Sequence, residues 1–439
     1  MISFVGIGSN LGDRRANLEQ AARALKNLSA GLFELSPVYE TPAMLPKNGD
    51  SSWNLPFLNA AAKMEFKGSA QELLIQLKQI ESKLGRSSKE KGTWAPRPLD
   101  LDILLFGDQV IDEQDLQVPH PGLLQRNFVL APLRDLAPEV IIPQDSSEAK
   151  PLSVLEAHRR LSTPLPAWMN IVNLTPDSFS DGNEVNKLKP FSDVLDQIEE
   201  NNVGIVDIGA ESTRPKAQEL NPVEEWQRLH PFLEGLQRRF SNLELKPLIS
   251  LDTRNWQTAA KGLEWGVNIV NDVSGLSHQS MIDLVKDSRC QCVFMHSLSL
   301  PAEPQTTLPK DCDPVAELEM WLEKKLNFFE NNGLDLSRLI FDPGIGFGKT
   351  AAQSLEILKR IESFKKFPVR LLVGHSRKSF MNNFTKAPFG ARDPESMGVS
   401  LNLAARGVDI IRVHNANLHK RAHLAQTHLA QTHLTEQSL

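Results

Sequence analysis

Asp100 and Asp102 stand one residue apart in the run Arg97-Pro-Leu-Asp-Leu-Asp-Ile-Leu-Leu-Phe106. Side chains of an extended strand alternate faces, so both carboxylates point one way while Leu99, Leu101 and Ile103 point into a core. Strand rise puts the carboxylates roughly 6–7 Å apart, and like charges at that range repel by about 2–3 kcal/mol at an effective dielectric of about 20. A cation between them relieves the repulsion. Paired hard oxygen ligands without His or Cys beside them suit Mg²⁺ bridging to substrate phosphates better than zinc. The competing reading is a solvent-facing strand kept soluble by its charges. Nearby lie Arg86, Lys89, Lys91 and Arg97, with Trp94 among them. Guanidinium forks beside a carboxylate-held metal make a polyphosphate cradle, and Trp94 is suited to stack on a flat ring or to anchor the loop.

A second constellation falls later in the chain. Asn173, Asp207 with Thr213 and Arg214, Asp252, Asn271 with Asp272, His296, Asp342, Lys378, and Arg412 with His414 lie at or just after the ends of apolar runs. Amides and carboxylates match the donor and acceptor edge of a heterocycle. Lys378, Arg412 and His414 supply cationic donors for an anionic leaving group such as a phosphate. Gly344-Ile-Gly-Phe-Gly-Lys-Thr350 is not a P-loop, because the first glycine of that motif would fall at Pro343. Its glycines let backbone approach a flat substrate ring, which Phe347 would cover. Gly6-x-Gly8-x-x-Leu11 lacks the third glycine of a dinucleotide fingerprint.

The elements that must position these groups change grammar along the chain. Residues 1–143 read as α+β, with strands over 2–7, 33–40, 57–66 and 99–106. One helix carries Leu18, Ala21, Ala22, Leu25 and Leu28 on a stripe, and a second starts at the Ser69/Glu72 capping box. Helices on one face of such a sheet predict an α+β sandwich of ferredoxin-like type. Residues 144–166 are polar and Pro-bracketed around a short helix, and read as an interdomain linker that leaves the two parts to tumble independently. From 167 to 439 apolar strands are expected at 168–174, 203–208, 247–251, 267–271, 291–295, 338–342, 369–373 and 408–413, each followed by an amphipathic helix. Eight such units are the rhythm of an α/β (β/α)₈ TIM barrel, whose strand C-termini form the functional face. The His-Leu-Ala-Gln-Thr repeat places His423, His428 and His433 five residues apart. Five is not a helical face period, so a helical extension is expected there rather than a metal site.

The 439 residues imply two or three domains, and 41% hydrophobic with 23% charged content is that of an ordinary globular protein. A net charge of −6 argues against a nucleic-acid partner. No apolar run approaches a membrane span and no export signal opens the chain, so a cytoplasmic, membrane-free protein is expected. Cys290, Cys292 and Cys312 are too few and too clustered for a disulfide framework, and Cys290-x-Cys292 reads as ordinary core thiols on a buried strand.

These residues also carry a family resemblance over nearly the whole chain. Gly8-Ser-Asn-Leu, Phe57-Leu-Asn-Ala, Ile80-Glu81, Gly85-Arg86, Trp94-x-Pro-Arg97-x-Leu-Asp-Leu-Asp-Ile103 and Val118-Pro-His120 resemble 6-hydroxymethyl-7,8-dihydropterin pyrophosphokinase. The run Asn170-Ile-Val-Asn-Leu-Thr-Pro-Asp-Ser-Phe-Ser-Asp-Gly182, with Glu211-Ser-Thr-Arg-Pro215, Asp252-Thr, Asn271-Asp, Asp342-Pro-Gly-x-Gly-Phe-Gly, Ser376-Arg-Lys and Arg412-Val-His414, resembles dihydropteroate synthase. The first resemblance implies that Asp100 and Asp102 hold two Mg²⁺ on ATP while a pterin hydroxymethyl group attacks the β-phosphorus. Arg86 and Arg97 would stabilise the transferring group, Trp94 and His120 would contact ATP, and Asn59 and Phe128 would hold the pterin. The second implies that Asp252, Asn271, Asp342, Phe347 and Lys378 bind a pterin ring. Asn173, Arg412 and His414 would take the pyrophosphate and its Mg²⁺, and Thr213, Arg214 and Ser379 would lie near p-aminobenzoate. A homodimer through the barrel is also implied. Two rivals, a methyl-transferring pterin barrel and a pterin-binding regulator with a degenerate first half, are disfavoured by Ser376-Arg-Lys378 with Arg412-x-His414, and by intact Arg97, Asp100 and Asp102.

Overall fold

The computed structural model describes residues 1–45, 50–86, 95–144, 150–174, 189–211, 220–300, 303 and 305–437. Contacts divide the chain into two compact units, one comprising Met1–Leu165, Leu243–Lys246 and Arg421–Leu439, the other Pro166–Asn242 and Pro247–Lys420. Among the described residues no helix is long and apolar enough to cross a membrane.

The first unit contains β1 (Ile2–Ser9), α1 (Arg14–Leu28), β2 (Phe33–Leu35), β3 (Tyr39–Thr41), β4 (Phe57–Glu65), α2 (Ala70–Lys83), β5 (Asp100–Phe106), β6 (Ile111–Glu113), β7 (Leu116–Val118), α3 (Asn127–Leu136) and α4 (Val154–Arg159). Its main sheet runs β2-β4-β1-β5 with β3 also on β4, and β1 is antiparallel to both neighbours. The strand expected over 33–40 is broken in two around Pro37, which has no N–H to give a ladder. Val5, Ile7, Ala60, Ala62, Leu101 and Ile103 face Leu18, Leu25, Leu73 and Leu77 of α1 and α2. The opposite face is covered too: Phe4, Ala61 and Leu105 pack on Leu130 and Leu133 of α3, with Val154 and Ala157 of α4 behind them. Part of the segment expected to be linker is therefore folded onto this unit, with Val154 and Ala157 buried.

The second unit continues β8 (Ala167–Asn173), α5 (Lys189–Glu200), β9 (Ile205–Gly209), α6 (Pro222–Phe240), β10 (Leu248–Asp252), α7 (Trp256–Glu264), β11 (Ile269–Asp272), α8 (Gln279–Asp287), β12 (Gln291–Met295), α9 (Pro314–Asn331), β13 (Leu339–Asp342), α10 (Ala351–Lys359), β14 (Arg370–Val373), α11 (Asp393–Ala405) and β15 (Ile410–Val413), and ends with the first residues of α12 (Ala416–Gln437), whose part from Arg421 on is assigned to the first unit. The eight strands pair in parallel and close into a barrel, each within three residues of its expected position. Cys290 and Cys292 are buried, and burial raises both thiols, as inert core thiols require. The tail is helical, and His423 is buried in it.

Candidate active sites

On the sheet face away from α1 and α2, Gly6 and Gly8 of β1, Asn59 of β4, and Asp100 and Asp102 of β5 line a cavity of about 300 Å³. The register makes this inevitable: Gly8 opposes both Asn59 and Asp100, and Gly6 opposes Asp102. A Cβ on Gly8 would lie 3.3 Å from Oδ1 of Asn59 and 3.8 Å from Cβ of Asp100, so glycine keeps the floor open. Asn59 donates to Thr41 Oγ1 at 2.9 Å. The loop after β1 has a separate task. Asn10 accepts from the Arg97 backbone N–H at 2.8 Å through Oδ1, and its own N–H donates to the Arg97 carbonyl at 3.2 Å.

Charge is organised asymmetrically around the two aspartates. Arg86 donates to Oδ1 of Asp100 at 2.6 Å and Arg97 to Oδ2 at 3.2 Å. Arg86 is also held by Glu81, a buried carboxylate that accepts from the Leu101 N–H at 2.8 Å and whose pKa burial raises. Asp102 has no such arginine clamp. Among the described residues the basic group within ion-pair range of it is Nε2 of His120, 3.8 Å away, and Arg126 acts on it from farther off. Nδ1 of His120 accepts from the Gly122 N–H at 3.0 Å, and burial followed by Arg126 holds its pKa down to about 4, so the ring is neutral. Burial, then the charge of Asp100, pushes the Asp102 carboxyl upward, tempered by the 42% of its side-chain surface open to solvent. A divalent cation at this pair would meet two hard oxygens and relieve that crowding, so the donor set fits Mg²⁺.

The barrel mouth gathers a second set. Arg412 bridges two carboxylates, with Nε 2.6 Å from Oδ2 of Asp207 and Nη2 2.8 Å from Oδ2 of Asp252. Asp207, fully buried, also accepts from Ser250 Oγ at 2.5 Å and from Asn271 Nδ2 at 3.3 Å. Asp342 accepts from the Gly344 N–H at 2.8 Å, and burial raises its pKa against the pull of Lys378. Lys378 donates to the Ile345 carbonyl at 2.7 Å and stands 4.7 Å above the Phe347 ring. These groups converge on Gly374, where a Cβ would lie 3.7 Å from Asp342 Oδ2, 3.8 Å from Arg412 Cδ and 3.9 Å from Lys378 Nζ. The result is a cluster of carboxylates with two cations beside it, gathered where residue 374 has no side chain.

His414 differs from expectation. Burial, then Arg377 and Arg412, hold its pKa down to about 3, so it hydrogen-bonds Ser376 Oγ at 3.0 Å as a neutral ring and not as a cation. Arg377, at φ 59°, turns away to pair bidentately with Asp393 at 2.7 and 2.8 Å, leaving Lys378 as the one cation of its dipeptide at the mouth. Asn173 closes β8 and Ser379 opens a short 3-10 helix; both are exposed, and among the described residues neither side chain makes a hydrogen bond. Trp94, Lys89, Lys91, Thr213 and Arg214 lie outside the described residues. Sequence reasoning assigned no role to Arg126, which lines the cavity 5.9 Å from the Phe128 ring. Its only signal was position, two residues before Phe128. Asp207 and Glu81 were likewise visible but unassigned.

Two family models match the chain. One described as 7,8-dihydro-6-hydroxymethylpterin-pyrophosphokinase covers residues 4–138, and one described as pterin binding enzyme covers 169–414. A folate synthesis bifunctional protein of Chlamydia muridarum is 34% identical over 435 residues, covering 95% of this chain and 96% of that protein. A mitochondrial folate synthesis bifunctional protein of Arabidopsis thaliana is 34% identical over 94% of this chain and 80% of its own length. Among solved structures, a Xanthomonas albilineans dihydropteroate synthase with 4-aminobenzoic acid is 31% identical, with a TM-score of 0.54 over 61% of this chain and 93% of that one. An Anaplasma phagocytophilum dihydropteroate synthase with bound 6-hydroxymethylpterin-monophosphate is 29% identical, with a TM-score of 0.53 over 61% and 99%.

Proposed function

The chain belongs to the bifunctional folate-synthesis family, joining a hydroxymethyldihydropterin pyrophosphokinase to a dihydropteroate synthase, and from that premise we propose how its residues divide the work. Residues 1–143 carry the first transfer and 167–439 the second. In the first, the pterin lies against Asn59 and Phe128, and its hydroxymethyl oxygen attacks the β-phosphorus of ATP, releasing AMP. Asp100 and Asp102 would hold two Mg²⁺, whose charge neutralises the phosphates and polarises the reacting phosphorus. Arg86 and Arg97 move from Asp100 to the transferring group once that charge arrives, with Glu81 keeping Arg86 in place. His120 and Trp94 contact ATP.

In the second step Asp252, Asn271 and Asp342 take the donor edge of the pterin ring, and Phe347 with Lys378 frames its face. The C–O bond to pyrophosphate breaks, leaving a delocalised cation at the pterin methylene. The aniline nitrogen of p-aminobenzoate, near Thr213, Arg214 and Ser379, forms the new C–N bond and gives up a proton. Lys378, Arg412 through Nη1, neutral His414 and Asn173 would receive the pyrophosphate, and Asn173 would hold a further Mg²⁺ that neutralises its charge. No nucleophilic side chain is needed; anion stabilisation carries the step. We place both reactions in the cytoplasm, in a homodimer joined through the barrel.

The observation that carries this reading is the convergence of Asp342, Arg412 and Lys378 on side-chain-free Gly374. The test is a coupled assay with hydroxymethyldihydropterin, ATP, Mg²⁺ and p-aminobenzoate. AMP, pyrophosphate and dihydropteroate should appear in equal amounts. AMP without dihydropteroate would overturn the barrel assignment, and the absence of AMP would overturn the first.

A further inference from the structure

Behind the glycine turn that follows β13 lies a buried cation with no place in either reaction. Lys349 is 6% exposed, and its Nζ meets Nδ1 of His296 at 2.8 Å, the His296 carbonyl at 3.2 Å and the Phe347 carbonyl at 2.8 Å. An ammonium has three N–H donors and no lone pair, so these acceptors satisfy it completely. His296 follows β12 with its ring edge-on to Trp321, centroids 4.9 Å apart. Burial, then Lys349, hold its pKa down to about 3, leaving Nδ1 free to accept. The same turn is also held by Lys378, through the Ile345 carbonyl and the Phe347 ring. Gly344–Phe347 is thus held by two ammonium groups, Lys378 at the Ile345 carbonyl and Lys349 at the Phe347 carbonyl.

We infer that Lys349 is a positioning residue for the condensation, pinning the turn that presents Phe347 to the pterin and so setting the affinity for the pterin pyrophosphate rather than the bond-making rate. This rests on the reading of the barrel mouth given above. The titratable groups around Lys349 are His296 after β12, Asp342 of β13 and Lys378 after β14. Burial depresses the Lys349 pKa to about 7, with Asp342 opposing and Lys378 assisting. A deprotonated amine keeps two donors and turns its lone pair toward a third acceptor, so the turn loosens as pH rises.

The test uses the full-length protein with preformed pterin pyrophosphate and p-aminobenzoate. In Lys349→Met the KM for pterin pyrophosphate should rise about tenfold with kcat within about threefold, the signature of lost uniform binding. AMP formation by the first unit should be unchanged. The parent's KM should climb from about pH 6, whereas the variant's should climb only nearer pH 8, where burial brings Lys378 to titrate. A KM within about twofold of the parent, with the parent's pH profile, overturns the inference. If Lys349→Met does not fold, His296→Phe removes one acceptor and keeps the ring; a raised KM there supports the inference and an unchanged one overturns it. A parent unable to condense its substrates would instead overturn the barrel reading itself, and this inference with it.

Discussion

Asp100 is neutralised by Arg86 and Arg97, whereas Asp102 carries its charge beside Asp100 without an arginine of its own. Without a cation that second charge costs stability; in the proposed reading it is what would hold Mg²⁺ and the nucleotide. Asp102→Asn keeps the shape and removes the charge. Its AMP formation should fall at least about a hundredfold, as expected when a preorganised electrostatic partner is lost. Thermal melting should show the variant at or above the parent in the absence of ligand. With Mg²⁺ and a non-hydrolysable ATP analogue the order should reverse, because only the parent gains ligand linkage. A variant that melts lower in both conditions would show that Asp102 is structural. The pair was legible in the sequence because a period of two places both carboxylates on one face. Lys378 was read as the cation of its dipeptide at the mouth, but the left-handed φ by which Arg377 turns away to Asp393 was not legible. Nor was Asp207, whose worth comes from Arg412, a residue 205 positions away in sequence.

At the scale of elements, the barrel strands were readable because each is a continuous apolar run ending in a polar residue. Helix α3 was not. It is only 10 residues long, has no side-chain N-cap and carries Pro132 in its interior, where proline ordinarily ends a helix. The loops at the strand ends carry strain that the strands support. Gly344 has φ +66°, and a Cβ there would fall 2.0 Å from the His296 carbonyl oxygen. Gly344→Ala should destabilise the barrel by about 2 kcal/mol or more, lowering its melting temperature by roughly 4–8 °C; an unchanged melt would mean that the turn relaxes freely. The same loops are acid-sensitive. Burial depresses His296, His375 and His414 to about 3, so each is neutral in the fold. The unfolded chain then binds more protons below the ordinary histidine pKa, so stability is full above about pH 6.5 and lost on acidification by up to about 1.4 kcal/mol per pH unit for each ring. Hydrogen exchange of β13–β15 amides at falling pH should show this protection draining away. A pH-independent exchange free energy would contradict it.

At the scale of the whole molecule, the two reactions share an intermediate and no catalytic residue. That intermediate is a polyanion in a protein of net charge −6, so the general surface repels it, and local cations such as Lys378 and Arg412 would capture it in the proposed reading. Release followed by capture then suffices to connect the steps. Lys378→Met should still release AMP yet fail to condense, while Asp102→Asn should condense preformed pterin pyrophosphate yet make none. Neither variant alone should yield dihydropteroate from hydroxymethyldihydropterin, ATP and p-aminobenzoate. Mixed in equal amounts, they should restore it after a lag that shortens as protein concentration rises, and the steady rate should then approach that of the parent at matched site concentration. A mixture that stays inert while each variant keeps its own half-reaction would mean that the intermediate does not leave the chain that made it.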